Sequence, residues 1–147
     1  MKTINGIEQQ EVLLSYTLLN VFDLEIDGGV LCKDDIIILV DGKKIKMINE
    51  GTNTIDDETV LFRPLKSKSI SLFLIQELIE MDYDIDIFLE ETNKKEKSMY
   101  ILDSDRNILA STKHKDLKKC IISTLIKYFF GSSIEGKNYL NIINDYK

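Results

Sequence analysis

Between Glu77 and Glu91 the chain carries Glu77, Glu80, Asp82, Asp84, Asp86, Glu90 and Glu91, with no basic residue among them. Carboxylates at that density hold a cation, keep a strand edge in solution, or face a cationic partner. On an extended backbone Asp84, Asp86 and Glu90 project from one face, with alternate side chains roughly 7 Å apart. That repeat is similar to the spacing of phosphates along a nucleic-acid strand. A row of this kind suits a basic nucleic-acid channel on another protein, drawn there by opposite charge. Tyr83 and Phe88 supply apolar anchors, so the expected partner-binding set is Asp82, Tyr83, Asp84, Asp86, Phe88, Glu90 and Glu91. The competing reading is a solvated edge kept apart from other strands by its charge.

A second group is cationic. Lys113-His114-Lys115 stands at the expected head of a helix, near Lys118 and Lys119. Neighbouring ammonium groups disfavour the imidazolium form and lower the pKa of His114. As the sole histidine it is the one standard proton shuttle near neutral pH, but no nucleophile elbow accompanies it. Such a cluster can bind a phosphate at a helix start. The chain has 17 lysines and two arginines, Arg63 and Arg106, and the guanidinium fork is the group best matched to phosphate. Arg63, Arg106, Lys113, His114 and Lys115 are therefore the alternative, ligand-binding set, suited to a phosphorylated signalling nucleotide whose base stacks on a Tyr or Phe.

Other motifs fall short of chemistry. Asp103-Ser104-Asp105-Arg106-Asn107 begins like a calcium loop, but Ile108 and His114 stand where that loop needs Gly and Glu. It reads as a hairpin turn. Asp27-Gly28-Gly29 lacks the Lys and helix of a phosphate loop. Cys32 and Cys120 sit in apolar surroundings and read as small core residues in a reducing compartment. With one His and no paired Cys spacing, no zinc set is expected. No catalytic residue, metal or cofactor is expected, and the chain reads as non-enzymatic. An enzyme working through His114 is the minority reading.

The 147 residues are 44% apolar and 30% charged, with 25 acidic groups against 19 basic ones and a net charge of -6. That composition is globular, and the length is about that of one domain. The acidic balance argues against direct nucleic-acid binding, which runs on surplus Lys and Arg. Apolar runs such as Ile36–Val40 are far shorter than the roughly 20 residues of a membrane span. The start of the chain lacks a signal-peptide pattern. A cytoplasmic protein without membrane contact is expected.

The elements that must position these groups follow from periodicity. Residues 7–22 read as a helix with Ile7, Leu14, Leu18 and Val21 on one face and Glu8 and Glu11 near its amino end, although the β-rich stretch Val12–Leu19 suits a strand equally. Ile36–Val40, Asp41-Gly42 and Lys43–Ile48 read as a hairpin on a two-residue type I′ turn. Ser67 or Ser69 caps a helix running to about Met81, with a broad apolar stripe of Leu72, Leu74, Ile75, Leu78 and Ile79. Residues 84–90 alternate as a half-buried strand, and residues 99–102 and 107–111 form a hairpin. Thr112 or Asp116 starts a last long helix, with Leu117, Ile121, Leu125 and Phe129 on one face and Gly131 at its end. Residues 132–147 form a tail with a short helix. Hairpin-connected strands exclude a parallel sheet, which needs crossovers. The fold class is α+β: an antiparallel sheet with hairpins, covered by two or three helices, in a single domain spanning 1–147.

Residues 69–131 resemble the phage ABA sandwich domain. The similarity is carried by SISLFLIQELIEMDYDIDIFLEE, SMYILDSDRNILAST and DLKKCIISTLIKYFFG: a Ser-led helix, an amphipathic strand, a Tyr-containing strand, a turn and a closing helix. The resemblance covers somewhat under half the chain, implies a phage or prophage accessory protein, and transfers no catalytic residue. Together these features predict an acidic interaction protein that binds and inhibits a host protein with a basic surface, such as a nucleic-acid-handling defence enzyme. A nucleotide-sequestering binder and an immunity protein for a toxin are the alternatives. Self-association as a homodimer is expected, with residues 139–146 as a docking tail.

Overall fold

The computed structural model describes residues 3–4, 7–23, 36–40, 44–47, 58–92 and 95–146; for 3–4, 7–9, 36–40, 44–47, 58–62 and Ser69 it describes the backbone alone. The fold is α+β with antiparallel sheets. The chain divides into two compact units, Met1–Ile70 and Ser71–Lys147.

In the first unit β1 (Thr3–Ile4) pairs with β2 (Ile7–Glu8), and α1 (Gln9–Phe22) follows directly. The helix therefore starts two residues later than the apolar pattern suggested, because Ile7 and Glu8 are taken up in a strand pair. Leu14 and Leu18 are fully buried and Val21 is half-buried, while Glu11 and Ser15 are also inside. Strands β3 (Ile36–Val40), β4 (Lys44–Met47) and β5 (Glu58–Phe62) form a sheet in the order β4-β3-β5. The expected hairpin is present, but its register pairs Val40 with Lys44. Three residues thus connect the strands, one more than a type I′ turn uses. That connection, Asp27-Gly28-Gly29, Cys32, Asp56 and Asp57 all lie outside the described residues. Glu58 opens β5, which pairs with β3 and packs beside α1.

Helix α2 (Lys68–Met81) begins at the end of the first unit, and its amide at Ile70 donates to Ser67 Oγ at 3.2 Å. Ser67 is the cap, satisfying one of the orphan amides of the first turn. Ile70, Leu74 and Leu78 are buried, whereas Leu72 and Ile79 are close to half-exposed. The buried stripe is narrower than the sequence implied.

The second unit is built on β6 (Asp86–Glu91), β7 (Lys97–Leu102) and β8 (Ile108–His114), an antiparallel meander in the order β6-β7-β8. Helix α3 (Leu117–Phe130) covers β7 and β8, and α4 (Ile134–Asp145) packs on α3. Lying between sheet and helix, α3 is buried at every position from Cys120 to Ile126, which a single apolar stripe does not announce. Asp116 caps it through amides of Lys118 (2.8 Å) and Lys119 (3.2 Å). Thr112, the other expected cap, lies inside β8. Gly131 ends the helix with φ 57° and ψ -136°, a conformation open to glycine, and donates its amide to Lys127 O. The chain then turns tightly into α4. A Cβ at Gly136 would come within 2.9 Å of Phe130 Cβ and 3.2 Å of the Gly131 carbonyl, so no larger residue fits this corner. The tail docks within its own chain: Ile143 and Tyr146 are buried, and Lys119 Nζ donates to the Tyr146 carbonyl.

Among the described residues no helix is long and apolar enough to cross a membrane.

Candidate functional site

The two faces of the β6-β7-β8 sheet can be told apart by what α3 touches. Met99 and Ile101 are fully buried, and Thr112 Oγ1 donates to the Cys120 carbonyl at 2.9 Å, which places all three on the α3 side. Register then puts Ile87, Leu89 and Glu91 on that side and Asp86, Phe88 and Glu90 on the other. Helix α3 lies over β7 and β8, so among the described residues of the second unit β6 is left at an uncovered edge. Leu89 is 41% exposed and Phe88 44%. The strand is more open than the half-buried one the alternation predicted.

This geometry divides the acidic set. Asp86 and Glu90 share a face, as expected, with Phe88 between them. Asp84 is exposed but precedes the strand in a turn, and so does not continue their row. Tyr83, in the same turn, is 90% exposed. Asp82 is half-buried and accepts a hydrogen bond from Tyr128 Oη. Burial, followed by that bond and the carboxylate charge, pushes the phenol up to about 12. Glu91 points to the α3 side and pairs with Lys97 at 3.5 Å. Asp82 and Glu91 are therefore matched within the chain, and Asp84, Asp86 and Glu90 form no ion pair among the described residues.

Within each unit the residues of the alternative cationic set have other engagements or lie apart. In the first unit Arg63 clamps Glu11, with Nε at 2.9 Å from Oε1 and Nη2 at 3.3 Å from Oε2. The Glu11 side chain is 1% exposed and that of Arg63 13%. Arg106 lies over the Phe88 ring at 5.7 Å, within cation–π range. It sits at the opposite end of β8 from Lys113 and His114, with roughly 20 Å of strand between. Arg106 also has φ 65°, held by a turn in which Asp103 Oδ1 accepts from the amides of Asp105 (2.9 Å) and Asn107 (2.8 Å). The Asn107 bonds hold the Asp103 carboxyl below its ordinary value. That carboxylate is engaged by its own loop, in a hairpin turn. Among the described residues no group of three or more His, Cys, Asp or Glu is placed to hold a metal.

His114 is the last residue of β8 and not the head of a helix, because Asp116 claims the cap. Its Nε2 lies 3.5 Å from Ser123 Oγ. Burial lowers its pKa, with Lys119 and Lys127 adding to the shift and Asp116 opposing it. Lys113 precedes it, and the exposed Lys115 follows. Cys120 is buried and free, and burial raises its thiol, so it is an inert core residue.

The structure adds a groove that the sequence did not reveal. It runs along β8, with α3 as floor and α4 as far wall. A cavity of about 470 Å³ is lined by Ile108, Leu109, Ser111, Lys127, Lys137 and Leu140. A second, of about 240 Å³, continues past Lys127 to Lys113, His114, Ser123 and Asn144. Lys127 and Lys137 carry no signal in the sequence that would join them to His114; the packing of α3 on β8 brings Lys127 there, and the return of α4 brings Lys137.

A scan against protein-family models matches none, and searches of characterised proteins and of solved structures find no similar protein.

Proposed function

We propose that this chain is a non-enzymatic interaction protein that engages a basic surface of a partner protein through the open edge at β6. The observation that carries the reading is the exposure of Tyr83 and Phe88 beside Asp84, Asp86 and Glu90, none of them ion-paired among the described residues. Exposed aromatics give contact area at low entropic cost, and the carboxylates give steering and register. Asp82 and Glu91 drop out of the contact set because the chain already uses them. The resemblance of residues 69–131 to phage ABA sandwich domains supports a phage-encoded protein whose partner is a host protein, with inhibition as the outcome of binding.

The test is capture from host lysate on immobilised chain, compared with the variant Asp84→Lys/Asp86→Lys. Bound protein is expected on the parent at low salt and to elute as ionic strength rises, since exposed charges are screened within about 8 Å at physiological salt. The variant should capture at least tenfold less while melting at the parent's temperature. Equal capture by both proteins would remove the acidic edge as the site.

A further inference from the structure

We infer that the groove between β8 and α4 binds an extended acidic segment of a partner protein, which adds to β8 as a fourth strand. This inference concerns the opposite edge of the sheet and does not rest on the role proposed for β6. Among the described residues strand β8 pairs with β7 alone, so its outer edge offers backbone donors and acceptors to a new strand. Those groups reach the groove: the Ser111 carbonyl already accepts a hydrogen bond there from Lys127 Nζ at 3.1 Å. The seven residues of β8 span roughly 23 Å, matched by an α4 of about 18 Å. A segment of five to seven residues, on the order of those lengths, fills the groove.

Charge sets the chemistry of the occupant. Lys113, His114, Lys127 and Lys137 line the two cavities, and none of their lining residues is acidic. Ile108, 60% exposed, and Leu109, 46% exposed, add apolar surface at one end. The occupant that fits alternates acidic and apolar side chains, because alternate positions of a strand meet opposite walls. As it docks, a carboxylate takes the Lys127 ammonium and frees the Ser111 carbonyl for the incoming backbone. The far wall also excludes one candidate. The acidic β6 edge of a second copy carries β7 behind it, and α4 stands where that strand would have to pass.

The probe is a fluorescent octapeptide of alternating Asp and Val, followed by anisotropy against the full chain. Saturable binding is expected, together with an at least tenfold loss on Lys127→Glu/Lys137→Glu and no loss on Asp84→Lys/Asp86→Lys. The same peptide with Lys for Asp should not bind. N-methylation of alternate peptide amides, tested on the unaltered protein, should abolish binding, since it removes the backbone bonds of strand addition. Undiminished binding of the N-methylated peptide would overturn the inference in favour of a simple anion site. Binding insensitive to the lysine changes, or no saturable binding at all, would overturn it as well.

Discussion

Replacing Arg63 by Met strips the bidentate guanidinium from a carboxylate that is 1% exposed. Removing one partner of a buried pair costs about 3–5 kcal/mol. The geometry points to the lower half of that range. One N–H···O contact is short at 2.9 Å, the other is long at 3.3 Å, and Arg63 keeps some access to water. Against a total stability of about 5–15 kcal/mol, a loss near 3 kcal/mol is large. At ~2–4 °C per kcal/mol for a chain of this size, it appears as a fall of roughly 6–12 °C in Tm, and as more if the smaller first unit melts alone. Glu11→Leu should cost less, because Arg63 can extend its charged end towards solvent. The double variant should recover most of the loss, giving a coupling of about 2 kcal/mol or more. Thermal and urea unfolding by circular dichroism measure the cycle. An additive cycle, or a single-variant loss under about 1 kcal/mol, would refute the reasoning. So would stabilisation by nucleotides that disappears with Arg63→Met, since it would return Arg63 to the ligand set.

Two further outcomes are expected. His114 has a pKa below its unfolded value, so its contribution is fully present above about pH 6.5 and is lost as pH falls through that value towards the folded pKa. Melting followed from pH 7.5 to 5.5 should show the parent losing more stability than His114→Gln; parallel curves would contradict this. Ending the chain at Gly131 removes α4 from α3, so the shortened protein should melt roughly 2–8 °C lower, for a loss of about 1–2 kcal/mol, and scatter light as aggregates. An unchanged melt and a stable monomer would show that α4 is dispensable.

Local patterning accounts for much of the agreement between sequence and structure. The succession of helix, three strands and helix from Lys68 to Phe130 follows from periodicity and turn residues, and so does the ending of α3 at Gly131. What escaped was set by contacts distant in sequence. Glu11 and Arg63 are 52 positions apart, and nothing near either residue announces the clamp. The register of the β3–β4 hairpin depended on one extra connecting residue. Leu72 and Ile79 continue an apolar stripe in sequence, yet lie outside the buried face. The expected row of Asp84, Asp86 and Glu90 loses Asp84 to the turn before β6, and Glu91, expected in the same contact set, meets Lys97 on the α3 side. Lys127 joins His114 because α3 packs on β8, and Lys137 because α4 folds back along it.

The two rims of the β6-β7-β8 sheet carry opposite signs, carboxylates along one and ammonium groups along the other. A pair of molecules meeting rim to rim about a twofold axis would set like against like on either side. Symmetric merging of two sheets into one is thus opposed by repulsion, and a twofold dimer of this chain would form through surfaces other than its strand borders. Head-to-tail meeting, carboxylates of one copy against ammonium groups of the next, is not opposed by charge, so it is α4 beside β8 that stands in the way of open-ended stacking.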